Sequence, residues 1–106
     1  MSDDLAGRLT VRLDLDGVTD KAGLMDAVAR TLALPDWFGR NWDALLDSLS
    51  DPSVWPEEAA NRGLLLVVTG WRPYADDRPE EWRVAREVLT EAADRTGPLT
   101  VALALE

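Results

Sequence analysis

Gly63-Leu64-Leu65-Leu66-Val67-Val68-Thr69-Gly70 is a continuous apolar run held between two glycines. It is too short for a helix and reads as a strand. A run without polar alternation is expected of a strand covered on both faces, hence a central one lying parallel to its neighbours. Its two candidate neighbours lie far away in the chain. Leu9, Val11, Leu13 and Leu15 alternate with Thr10, Arg12 and Asp14, and Leu99 to Leu105 alternates again at the other end.

Helical patterns fill the intervals. After the Asp16-Gly17 turn, Thr19 or Asp20 can cap a helix whose apolar positions are Leu24, Ala27, Val28 and Leu32. Proline disfavours the α-conformation in the residue before it, so Leu34-Pro35 ends this helix near Ala33. Ser50 to Pro56 is turn-rich and broken by two prolines, which predicts a loop. Pro56, Glu57 and Glu58 suit the first turn of a short helix closed by Asn61 and Gly63. Trp71 to Asp77 reads as a connection to the longest helical signal. That helix has Pro79 at its first position, an inner face of Trp82, Ala85, Val88, Leu89 and Ala92, and a stop at Gly97-Pro98. Strands separated by helices imply right-handed crossovers. The expectation is a single α/β domain over residues 1–106, a small three-stranded parallel sheet flanked by helices.

Composition narrows the chemistry. The chain has 106 residues, 11 basic against 20 acidic, no cysteine and no histidine. Without cysteine there is no disulfide scaffold, thiol nucleophile or zinc-thiolate cluster, which suits a reducing cytosol. The acidic start Met1-Ser2-Asp3-Asp4 is unlike a secretory signal, and no segment approaches the roughly 20 apolar residues that span a bilayer. The expected location is cytoplasmic. A formal charge of −9 argues against nucleic acid and membrane surfaces as partners and favours a basic protein, although acidity also serves solubility.

The stretch from the end of the first helical segment to the proline-broken loop, Leu34 to Asp51, carries the functional question. Trp37 and Phe38 precede Gly39, where a missing Cβ eases a turn, and a helix begins at about Asn41. Trp42, Leu45, Leu46 and Leu49 fall on one face of that helix, and Asp43 and Asp47 share another. Asp43, in the first turn, complements the helix dipole. Asp47 lies a turn too late for that, and like charges four residues apart cost a helix roughly 0.2–0.5 kcal/mol. The helix holds one carboxylate more than its own stability asks for.

Catalysis would have to rest on carboxylates, since the usual general base and thiol nucleophile are missing. Two acids on successive turns of one exposed helix offer neither a sugar cleft nor contrasting environments. Asp51 extends the series, but the Asp-Pro break ends the helix before a hard-cation site can form. The glycines make no phosphate-cradling loop. No cofactor or metal is expected. Trp42 and Trp82 belong to inner faces and Trp71 reads as structural. Trp37 and Trp55, in loops beside the acidic helix, can either anchor an interface or fold back onto the core.

Leu34-Pro35, Trp37-Phe38, Gly39, Asn41, Asp43-Ala44-Leu45, Asp47 and Leu49 together resemble the signature of the barstar family, intracellular inhibitors of secreted bacterial ribonucleases such as barnase. The family's fold is a three-stranded parallel sheet flanked by helices. The resemblance implies that the helix from Asn41 and the loop before it plug the ribonuclease's active site. Asp47 would occupy a phosphate-binding pocket with Asp43 in support, and Trp37 would stack in place of a family tyrosine. The main chain at Gly39 and the Asn41 side chain would contact enzyme loops, and Glu91 would be a second acidic contact. A site that holds phosphate with cationic side chains also attracts a well-placed carboxylate. Leu46 stands where the family has a tryptophan at the contact edge, Trp37 lacks a phenolic hydroxyl, and Asp51 to Asn61 looks like an insertion. Trp55 on that insertion is a candidate to replace the lost aromatic contact. The implied function is a non-enzymatic, monomeric inhibitor of a small basic, guanyl-preferring ribonuclease in a 1:1 complex. The alternatives are a barstar-like module for another basic protein or toxin, as an immunity protein, and an acidic nucleic-acid mimic acting through diffuse charge.

Overall fold

Residues 7–35 and 39–105 are described by a computed structural model. Three parallel strands form one sheet in the order β1 (Leu9–Asp14), β2 (Leu64–Thr69), β3 (Leu99–Leu103). Register is set in rows: Leu9 opposite Leu64 opposite Leu99, Val11 opposite Leu66 opposite Val101, Leu13 opposite Val68 opposite Leu103. These rows form the apolar face on which the helices pack. Leu64, Leu66 and Val68 are fully buried there.

The opposite face corrects one expectation. Leu65, Val67 and Thr69 on β2 are half-buried, so the apolar run is fully covered on one side only. Topology gives the reason: strands laid down in the order 1-2-3 by right-handed crossovers carry their helices on one face. Thr10, Arg12 and Asp14 of β1 are exposed on the other. The flanking side chains of Thr10, Arg12, Thr100 and Ala102 leave β2 partly shielded, without a second layer among the described residues.

Four of the five helices among the described residues follow the sequence signals closely. α1 (Lys21–Leu32) is capped by Asp20, whose side chain accepts from the Gly23 amide at 2.8 Å, and it ends at Ala33 in the left-handed conformation. α2 (Trp42–Leu49) is the acidic helix. The expected loop after it is a 3-10 turn at Pro52–Val54, capped by Asp51, followed by α3 (Glu57–Arg62). Gly63, φ +87, closes α3, and an added Cβ would meet the Pro98 carbonyl at 3.0 Å.

The connection after β2 is not a loop but a helix, α4 (Arg72–Asp77), with Pro73 in its first turn. Its Tyr74 lies buried edge-on to Trp82 at 6.2 Å, and Trp71 stacks flat on Trp82 at 5.3 Å. Trp71 also donates its indole N–H to the Ala104 carbonyl at 3.0 Å, tying the α4 turn to the end of β3. Such aromatic pairs contribute roughly 0.5–1.5 kcal/mol beyond area burial. Trp82 begins the inner face of α5 (Pro79–Arg95), continued by Ala85, Leu89 and Ala92. The described residues share one apolar cluster, to which α2 contributes Leu45 and Leu49. Among them no helix is long and apolar enough to cross a membrane.

Candidate partner-binding surface

α2 is held by its apolar side. Leu45 and Leu49 are buried, Trp42 and Leu46 flank them half-buried, and the helix packs against α5. At its far end Thr96, just past α5, donates its hydroxyl to the Ser50 carbonyl at 3.2 Å. With that side fixed, the remaining face must point outward. Asp43 and Asp47 are exposed on it, and among the described residues neither carboxylate has a hydrogen-bond or ion-pair partner.

The loop before α2 is built around Arg40 and Asn41. Asn41 is the N-cap: its Oδ1 accepts from the Ala44 amide at 2.7 Å while its Nδ2 donates weakly to the Gly39 carbonyl at 3.4 Å. The oxygen is therefore committed to the helix, leaving the second N–H of the amide for outside contact. Gly39 is exposed, and a Cβ there would sit 3.2 Å from Asn41 Nδ2 and 3.3 Å from Ala44 Cβ. Its small size is what lets the cap close. The left-handed residue in this turn is Arg40, φ +53, with its guanidinium Nε 3.0 Å from Asp26 Oδ1 on α1. Sequence reasoning did not single out Arg40; the available signal was its standing as the one cation between Leu34 and Asp51.

Gly39, Asn41, Asp43, Leu46 and Asp47 thus occupy one turn and one helix. Glu91 stands apart on α5, exposed, and its carboxylate is engaged by Arg95 Nε at 2.9 Å. It lines a groove of about 570 Å³ that runs along α5 past Arg83 and Arg86. Trp37 lies outside the described residues. Among those described, no group of three or more His, Cys, Asp or Glu is placed to hold a metal ion.

Trp55 settles the opposite way from a surface anchor. It is 5% exposed, and its indole N–H donates to the Ser48 carbonyl at 3.2 Å. Ala59 of α3 is fully buried in the same cluster. The insertion therefore folds under α2 and supports it, and Trp55 cannot replace an aromatic missing from the contact edge. Leu46 holds the boundary position, packed on the core by part of its surface.

Among the described residues the chain is thus a three-stranded parallel α/β fold that turns an unpaired carboxylate pair outward on a buttressed helix. The chain matches the family described as Barstar (barnase inhibitor) over residues 8–105, and it belongs to that family. No curated protein matches it in sequence.

Proposed function

We propose that this protein inhibits a small, basic, guanyl-preferring ribonuclease secreted by bacteria, plugging its active site with α2 in a 1:1 complex inside the producing cell. The protein acts by occupation, not catalysis. The observation that carries the reading is the exposed Asp43–Asp47 pair, without partners among the described residues, on a helix whose other side is fixed to the core. A pocket of Arg, Lys and His that binds phosphate would receive Asp47, with Asp43 beside it, the Asn41 amide and Gly39 main chain on the rim, and Glu91 as a more distant contact.

The test is co-purification with candidate small ribonucleases followed by an activity assay at equal molar ratio. Asp47→Ala should then weaken binding by about 2–5 kcal/mol, the general cost of truncating one member of a buried charge pair, a range for which barnase with barstar is itself a source case. Asp14→Ala and Asp94→Ala should change little. Equal, small effects at all three positions would sink the proposal.

A second reading, a barstar-like module for another basic protein or toxin, is favoured by the contact edge itself. Leu46 offers less reach than an aromatic, and Trp55 is buried. Failure to bind any small ribonuclease while retaining a tight basic partner would select it.

A further inference from the structure

Two cations border the acidic helix, and neither pairs with its carboxylates. Lys21, at the start of α1, places its ammonium 5.4 Å from the centroid of the Trp42 ring. Arg40 sits immediately before the N-cap, three residues ahead of Asp43, yet its guanidinium Nε lies 3.0 Å from Asp26 Oδ1 on α1. A long arginine side chain at that point has the first-turn carboxylate of α2 as its nearest acid in sequence. An Arg40–Asp43 pair would neutralise half of the exposed acidic face. It would also set a cation at the positive end of the helix dipole.

We infer that Asp26 is a positioning residue that draws Arg40 onto α1 and so keeps Asp43 and Asp47 unpaired for a cationic partner. This rests on the ribonuclease-inhibitor reading for its binding consequence, but the diversion itself is a property of the free protein. The ion pair is half-exposed, with side chains 50% and 53% accessible, so it contributes little to stability. Its contribution is directional. Arg40 also adopts a left-handed backbone, φ +53, in the turn that leads into the N-cap.

The experiment is a double-mutant cycle on the full chain with Asp26→Asn, Arg40→Gln and the pair combined. Thermal melts confirm that each variant folds. Asp26→Asn should weaken ribonuclease binding about two- to fivefold, as an exposed competing pair would. Arg40→Gln alone should bind at least as well as wild type, and the double variant should recover wild-type affinity. A loss at Arg40→Gln equal to or greater than that at Asp26→Asn would make Arg40 a direct contact and overturn the inference. A second arm needs no partner: in Asp26→Asn the carboxylate carbon resonance of Asp43 should move, and in the double variant it should return. An unmoved Asp43 resonance overturns the diversion whether or not any ribonuclease binds, whereas a moved resonance without ribonuclease binding upholds it and faults only the proposed function.

Discussion

Tyr74, the chain's one tyrosine, is buried, and its hydroxyl donates to Glu81 Oε1 at 2.9 Å. Burial first, and then the Glu81 carboxylate, push the phenol well above its ordinary value of 10.0. A raised folded-state value means the group's contribution is present in full below pH 10 and is lost as pH climbs towards the folded value. Stability should therefore fall above pH 10, with phenolate absorbance appearing together with unfolding, and Tyr74→Phe should flatten that fall. A phenolate signal near pH 10 in the still-folded protein would contradict it. Single residues were also where sequence reasoning was least complete. Asn41 was legible as a cap because its side-chain oxygen has a fixed role at that position. Arg40 was not, since nothing about an arginine announces a left-handed backbone.

At the scale of the element, α2 depends on its two ends and its underside. Asn41→Ala should lower stability by about 1 kcal/mol, measured by denaturant titration, because the Ala44 amide loses its acceptor. Trp55→Ala should cost about 3–5 kcal/mol, as for other buried tryptophans, and should show itself as instability before any loss of contact surface. A stable Trp55→Ala variant with impaired binding would return that residue to the interface. Periodicity found α1, α2, α3 and α5 because each has a cap, a proline or a repeating apolar face to read. α4 escaped because its six residues present no repeat, and it is held by the packing of Tyr74 and Trp71 on Trp82. The β2 run was read correctly as central and parallel, whereas its half-covered face follows from crossover direction, which no local pattern encodes.

Over the whole molecule, a net charge of −9 sets the long-range field, and under the proposed function α2 is where a partner would meet it. Association with a basic ribonuclease should slow steeply as salt is added, because screening acts within about 10 Å at 0.1 M, while dissociation should change far less. A rate independent of ionic strength, measured by stopped flow, would remove electrostatic steering from the account. The parallel pairing of Leu9 with Leu64 has a kinetic meaning as well. Everything from α1 through α3 lies inside the segment that this pairing closes, so the closure entropy must be met before the sheet can form. An eight-residue helix is too short to persist alone in water. The carboxylate pair is thus assembled only once distant parts of the chain have met, and a nascent or excised fragment carries the same acids without the spacing that makes them a pair.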